Sequence, residues 1–361
     1  MARAVSEQPI GGFLPLALDD LLAASVTPWQ IWTEGALSTH VFHNARSALV
    51  WLLRHQEPRK LWLPAYICPE LATAASGAGI DIGFYSVGEN LTPDGVALDR
   101  AARRRDAVLG VDYFGFRPGA AFLALVEARR DLVWIEDRAQ AFAPGGKPWG
   151  DFVLYSPRKL LGVPDGGLLV AYRTALPSVA AAALPDFAFM MPFLERFEDS
   201  EERRNRVWYE RYREVEAGAA VSLHKMSRTT EALLHRLDAA GIAETRRRNG
   251  ALLADAFGRQ ALTAADASKD AVPFGLPLRV VDAAALAARL AERGAFCARH
   301  WPALPSDARA FPDEHRLAQS LITLPCDQRY GVAEMRRLID LVGDALPLSL
   351  IHISEPTRQA E

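Results

Sequence analysis

The stretch "FVLYSPRKLLGVPDGGLLVAY", Phe152–Tyr172, sets two short apolar runs on either side of a Pro- and Gly-bounded loop that carries a lysine. Each run has the length of one strand and is continuously apolar, as strands buried on both faces are. Too few residues separate "FVLYS" (152–156) from "LLVAY" (168–172) for a parallel crossover. One of the two is therefore predicted to run antiparallel. Upstream, "LWLPAYI" (61–67), "IDIGFYSV" (80–87), "AVLGVDYF" (107–114) and "LVWIED" (132–137) are each followed by helix-like sequence such as "GAAFLALVEARR" (119–130). Strands alternating with helices predict an α/β domain with a largely parallel sheet and crossover helices.

The 361 residues, half of them hydrophobic, can bury a sizeable core and suggest two domains rather than one. A formal net charge of −3 leaves no global basic field to attract a phosphate backbone, so nucleic acid is not an expected partner. The local basic runs "AARRRD" (101–106) and "ETRRRN" (244–249) read as solvated helix faces. Cys68, Cys297 and Cys326 form neither a CxxC pair nor a zinc spacing, so no metal is expected and a reducing compartment fits. The N-terminus lacks an uninterrupted apolar signal core, and no run of about 18 apolar residues occurs. The expected location is the cytoplasm, with no membrane partner.

From Leu194 the pattern changes to "LERFEDSEERRNRVWYERYREVEAG", in which Phe197, Val207, Trp208 and Tyr212 interrupt the charge at helical spacing. It predicts a surface or bridging helix with one packed face. A second helical run, "TTEALLHRLDAAGIAETRRRNGALLADAF" (229–257), leads to a smaller unit with "PLRVV" and "LITLP" as strands and "DAAALAARLAERG" and "VAEMRRLIDLVGDAL" as helices. That unit reads as α+β. The expected division is an N-terminal arm (1–40), a large domain (41–235), a small C-terminal domain (236–347) and a tail (348–361). Within the tail, "LSLIHISEPTR" (348–358) has no packing logic and looks like the conceptual translation of a transposon-based sequencing adapter. An ordinary C-terminal extension is the alternative, and functional reasoning leaves the tail out.

In an open parallel sheet, ligands bind at the carboxyl ends of the strands. Asp137 ends "LVWIED", Asp112 lies in "VDYFG", Lys159 follows "FVLYSP", and "HNARSAL" (43–49) opens a helix. A carboxylate and a lysine at neighbouring strand ends could form a plain ion pair. Three features argue for more. Asn44, Ala45 and Arg46 offer a polar cap, free backbone N–H groups and a cation at one helix start, which is an anion site. Gln140 follows Asp137 by three residues, so a turn can bring both to one planar ligand. Lys159 sits in a tight loop where its amine can be partly desolvated for nucleophilic use.

Together these describe a pocket for pyridoxal 5′-phosphate. The phosphate requires the helix start and a cation; the pyridine nitrogen requires a carboxylate to stay protonated as an electron sink; the 3′-oxygen can accept an amide N–H from Gln140. The aldehyde requires a lysine to form a Schiff base, and that amine, displaced by substrate, can move a proton between the substrate Cα and the cofactor C4′.

The order of these motifs resembles the DegT/StrS family of sugar aminotransferases, over roughly residues 40–345. "NARSAL" is similar to its Gly-Thr-x-Ala-Leu phosphate loop, and "LPAYICPELATAA" to its Pro-Ser-Tyr-Thr-Phe run. "VDYFG" is similar to its Val-His-Leu-x-Gly, "IEDRAQAF" to its Glu-Asp-Ala-Ala-Gln-Ala, and "SPRKLLGVPDGGLLV" to its Ser…Pro-Thr-Lys-Asn-Leu…Gly-Gly segment. "RRRNGALL" and "HWPALP…LITLP" resemble its C-terminal landmarks. The resemblance implies the fold-type I transferase fold, with a seven-stranded-type sheet and a smaller C-terminal domain. It also implies Asp137 on the pyridine nitrogen, Gln140 on the 3′-oxygen and Lys159 as Schiff-base lysine. Its further implications are an amino donor such as glutamate, a keto-sugar substrate on a nucleotide, a role in cell-surface polysaccharide or secondary-metabolite synthesis, and a homodimer with its sites at the subunit interface.

The departures mark a divergent member. Ala45 and Arg46 replace Gly-Thr, exchanging a hydroxyl for a guanidinium. Leu154 holds the place of the family's serine, and Ser156 is the substitute for the phosphate contact or a plain turn residue. Arg46 reads equally as a phosphate ligand or half of a structural ion pair. Cys68 stands where a stacking aromatic is usual, with Tyr66 as a candidate replacement, and by itself reads as a small buried hydrophobe. Leu223 stands where many members place an asparagine across the interface, with Lys225 nearby. His300 and Trp301 read first as packing of the small domain, with a substrate-pocket wall as the alternative.

The lysine argues against the family's dehydratase offshoot, which has histidine there. A catalytically inactive binding or regulatory protein on the same fold is the competing function. A nicotinamide-dependent oxidoreductase is disfavoured, because no GxGxxG follows a strand.

Overall fold

The computed structural model describes residues 9–17, 24–179, 183–184, 187–198, 207–217, 221–258, 260–262 and 269–346, and the tail from 348 lies outside them. Eleven strands occur among these residues. They are β1 (Ile10–Gly11), β2 (Ser38–Phe42), β3 (Leu61–Pro64), β4 (Ile82–Tyr85), β5 (Ala107–Val111), β6 (Val133–Asp137), β7 (Phe152–Tyr155), β8 (Gly167–Ala171), β9 (Gly275–Arg279), β10 (Ala295–Phe296) and β11 (Leu321–Pro325).

A seven-stranded sheet has the order β2-β8-β7-β6-β5-β3-β4. Within it β8 alone is reversed, pairing antiparallel with both β7 and β2, while the remaining neighbours pair in parallel. The short loop of the opening stretch therefore does what its length requires. The chain belongs to the α/β class with a mostly parallel sheet flanked by helices. β7 and β8 are buried throughout, and their side chains alternate between two cores. Phe152, Leu154 and Leu169 join the core beneath the helix Ala45–Gln56, whereas Val153, Tyr155, Leu168 and Val170 join Trp32, Leu160 and Leu234 on the other face. Covering both faces is why these strands are written as unbroken apolar runs.

The reversal of β8 places its first residue beside the last residues of β2 and β7. Phe42 pairs with Gly167, and Tyr155 with Leu168. Gly166 has φ +113°, and a Cβ on Gly167 would lie 2.2 Å from the Asn44 carbonyl carbon and 2.5 Å from Ala45 N. The Gly-Gly pair first turns the chain in a conformation that favours glycine. Its second member then lets β8 start against the backbone that opens the helix Ala45–Gln56. Gly167→Ala must push that helix start away, at a cost of about 1–3 kcal/mol. The expected result is a lowered Tm together with weaker binding of anionic ligands in the cleft described below, both measurable by thermal unfolding with and without pyridoxal phosphate.

The second helical run predicted at 229–257 is two helices, Arg228–Leu234 and Ala239–Phe257. Asp238 causes the break: its carboxylate accepts from Ala240 N and caps the second helix. The described part of the charged segment from Leu194 likewise belongs to two helices, Met191–Glu198 and Val207–Ala217.

Beyond Ala239–Phe257, β9 and β11 pair antiparallel, and Leu278, Leu286, Ile322, Met335 and Leu338 pack in a core of their own. β1 pairs in parallel with β10, so Ile10–Gly11 lies on this smaller unit, while Ser38–His40 begin the large sheet. Among the described residues no helix is long and apolar enough to cross a membrane.

Candidate active site

The carboxyl ends of β2, β3, β5, β6 and β7 open on one cleft of about 1730 Å3, closed on its far side by the smaller unit. Lys159 lies on the four-residue helix Pro157–Leu160, immediately after β7. Proline at its first position presets the helical φ, and Lys159 N donates to the Ser156 carbonyl at 3.1 Å. Ser156 precedes this helix without a side-chain cap bond, is buried, and lines the cleft.

Asp137 ends β6, on the neighbouring strand, and is 6% exposed. Its Oδ1 accepts from Ala139 N at 2.8 Å. Burial pushes its carboxyl above the ordinary carboxylate range, opposed by the Lys159 ammonium and the Ala139 N–H. Gln140 follows in the turn; its Oε1 accepts from Phe114 N at 3.2 Å, which leaves the amide NH2 as the group for a ligand. Beneath Asp137, Arg138 Nε pairs with Glu136 Oε1 at 2.5 Å and approaches Asp112 Oδ2 at 3.4 Å, all three buried. Asp112 also accepts from Trp149 Nε1 at 3.0 Å, so it belongs to the support of the site and not to its wall.

In the same cleft, Asn44 caps the helix Ala45–Gln56, its Oδ1 accepting from Ser47 N at 2.8 Å. Asn44 is 7% exposed, and its Nδ2 has no partner. A buried amide with an unused donor fits an absent acceptor. Ala45 and Arg46 occupy the first two helical positions and line the cleft with Asn44. Arg46 also pairs with Glu216 at 3.5 Å, the ion pair that is one of its two readings.

Cys68 lines the cleft, partly buried and packed against the main core. Its Sγ donates to Glu70 Oε2 at 2.7 Å, and burial pushes the thiol up to about 11, partly opposed by Lys159. Tyr66, the candidate replacement for a stacking ring, stands behind the wall: it is fully buried, and its hydroxyl donates to the His300 carbonyl at 2.9 Å. Leu223 is exposed and outside the cleft.

The smaller unit supplies residues for which sequence reasoning had a weaker signal. His300 and Trp301 both line the cleft and also pack with Tyr66, Phe114 and Phe274. Burial, aided by the Lys159 charge, pushes the His300 imidazole down to about 3, so it is neutral at pH 7, with Nε2 unpartnered. Trp301 has φ +53°, a left-handed conformation costly for a bulky residue.

Arg246 corrects the reading of "ETRRRN" as a solvated face, for it is 1% exposed. Its guanidinium donates to the Leu160 carbonyl at 2.9 Å, to Gln328 Oε1 at 2.8 Å and to the carbonyls of Pro273 and Phe274. Gln328 donates to the same Leu160 carbonyl at 3.2 Å. Two side chains from outside the sheet thus fix the backbone next to Lys159. Arg158, the residue before Lys159, lines the cleft and bonds Tyr212 and Glu216, each at 2.8 Å.

No family model matches the sequence, and no curated protein matches it. Solved structures do match in fold. The putative sugar aminotransferase Spr1654 from Streptococcus pneumoniae, in its PLP form, superposes with a TM-score of 0.67 at 16% identity, over 94% of this chain and 100% of its own. A DegT DnrJ EryC1 StrS aminotransferase from Brucella abortus gives 0.61 at 16% identity, over 88% of this chain and 87% of its own. Helicobacter pylori PseC, an aminotransferase of pseudoaminic acid biosynthesis, gives 0.65 at 13% identity, over 94% and 99%. At such identities the likeness establishes the fold, which is that of fold-type I aminotransferases, and function has to be argued from the site.

Proposed function

We propose that this chain is a pyridoxal phosphate-dependent aminotransferase of the DegT/StrS type that transfers an amino group, with glutamate as donor, to a keto-sugar carried on a nucleotide. The observation that carries this reading is the sharing of one cleft by Lys159, Asp137, Gln140 and the helix start at Asn44–Arg46. The residues fit the cofactor. An unpartnered buried amide, two guanidiniums and a buried carboxylate line one cleft, with an amine close enough to that carboxylate to act on its proton affinity.

When bound, the cofactor supplies an electron sink for the pair released at the substrate carbon that bears nitrogen. Asn44, Ala45, Arg46 and Ser156 would hold its phosphate, and Cys68 lines the same cleft where a stacking ring would otherwise stand. Asp137 keeps a proton on the pyridine nitrogen, and Gln140 donates to the 3′-oxygen. Lys159 would hold the cofactor through its amine and, once free, would carry the proton at the substrate carbon. His300 and Trp301 narrow the substrate side and exclude water.

The cleft exceeds the roughly 300–1,000 Å3 that one small ligand fills, which leaves room for a substrate the size of a sugar nucleotide beside the cofactor. A homodimer is supported by exposed apolar residues at helical spacing: Phe187 (71% exposed), Met191 and Leu194, with Leu184 preceding them.

The test is spectroscopic. Purified protein loaded with pyridoxal phosphate should show a visible absorption band that borohydride fixes to Lys159, read by mass spectrometry, and that glutamate bleaches. Absence of the covalent adduct overturns the reading. An adduct that no amino donor converts supports the competing one, a catalytically inactive binding or regulatory protein.

A further inference from the structure

Arg46 and Arg158 come from separate elements, the helix after β2 and the short helix after β7, yet their guanidiniums meet on one oxygen. Glu216 Oε1 lies 2.8 Å from Arg158 Nη2 and 3.5 Å from Arg46 Nη2. Glu216 belongs to the helix Val207–Ala217, as does Tyr212, which receives Arg158 Nη1 at 2.8 Å. All four residues line the cleft, as does Asn44, whose Nδ2 is unpartnered.

Two cations converging on one point need an anion, and in this structure the anion is a side chain. A carboxylate and a phosphate engage guanidinium forks with the same geometry, but the phosphate brings more charge and a third oxygen. Glu216 is 38% exposed at its side chain and sits on a surface helix, so it can leave the two arginines without unpacking a core.

Resting on the cofactor assignment above, we propose that Arg158 is a second phosphate-binding guanidinium, paired with Arg46, and that Glu216 is their internal counter-ion, exchanged for the cofactor phosphate. Glu216 offsets the repulsion between the arginines when no phosphate is bound. On binding, the phosphate takes both forks and the Asn44 amide, and Glu216 turns to solvent. The exchange sets a competition that lowers apparent affinity for the cofactor by the fraction of protein in which Glu216 is engaged.

Titrations of cofactor-free protein with pyridoxal phosphate and with pyridoxal, which lacks the phosphate, test the assignment. Arg158→Met should weaken pyridoxal phosphate binding on the order of 10- to 100-fold and leave pyridoxal unchanged, the loss expected of a hydrogen-bonded charge. Glu216→Gln should tighten pyridoxal phosphate about 2- to 5-fold, again without effect on pyridoxal, since the competing pair is partly solvated. Equal effects on both ligands, or an unchanged or weakened affinity in Glu216→Gln, overturn the proposal. Inorganic phosphate separates it from the cofactor assignment: it should raise the Tm of the wild type and not of Arg158→Met, even if pyridoxal phosphate itself fails to bind. Wild-type protein that phosphate does not stabilise also overturns it. Should Arg158→Met fail to fold, Arg158→Lys keeps one charge without the fork and should fall between it and the wild type.

Discussion

Lys159→Ala is expected to lose covalent attachment of pyridoxal phosphate completely and to slow transamination by about 10^3-fold or more, since one amine supplies both the covalent link and the proton carrier. The cofactor itself should still bind, because its phosphate, ring nitrogen and 3′-oxygen are assigned to other residues lining the cleft. Size exclusion after loading should therefore leave colour in the wild type and remove it slowly from the variant. Added primary amines should restore part of the rate, because the lost group is a soluble functionality. A variant that turns over at the wild-type rate would remove Lys159 from the chemistry altogether.

Asp137→Asn is expected to act with opposite signs on stability and on rate. Burial holds the Asp137 carboxyl above its usual range in the folded, cofactor-free protein. A carboxylate so raised contributes stability below its ordinary pKa, and that contribution is lost as pH rises through the folded pKa. Above its ordinary pKa the buried carboxyl is thus a net cost to the folded state, partly relieved by Lys159. Asparagine keeps the acceptor for Ala139 N and removes the charge, so the cofactor-free variant should melt at a higher temperature at pH 7. The difference should vanish as pH falls into the range where Asp137 is protonated. With cofactor bound the sign reverses, because the pyridinium is then opposite a neutral amide, and the rate should fall on the order of 10^2- to 10^4-fold. Equal Tm values at all pH values, or an unimpaired rate, would contradict the assignment.

The central strands were legible because burial on both faces favours unbroken apolar runs: β5, β7 and β8 are such strands, and β6 breaks the rule only at its carboxyl end, with Glu136 and Asp137. β2 was not, since "STHVF" is an edge strand whose first four residues stay partly solvated. Lys159, Asp137 and Gln140 could be singled out by position alone, at strand ends where a parallel sheet presents its ligands. Arg158 and Glu216 could not be paired: 58 positions separate them, and only the return of the helix Val207–Ala217 joins them. Arg246 was hidden for another reason. Three of its acceptors are backbone carbonyls, which every residue possesses, so a buried arginine and a solvated one look alike within "ETRRRN".

The grip of Arg246 and Gln328 on the Leu160 carbonyl also bears on how this scaffold can diversify. Because that carbonyl follows Lys159, any tilt of the smaller unit is transmitted to the Lys159 backbone. New substrates are therefore more easily accommodated by exchanging side chains such as His300 and Trp301 than by reorienting the unit that carries them. A chimaera that imports a foreign smaller unit should retain its chemistry only if the import brings both donors to Leu160.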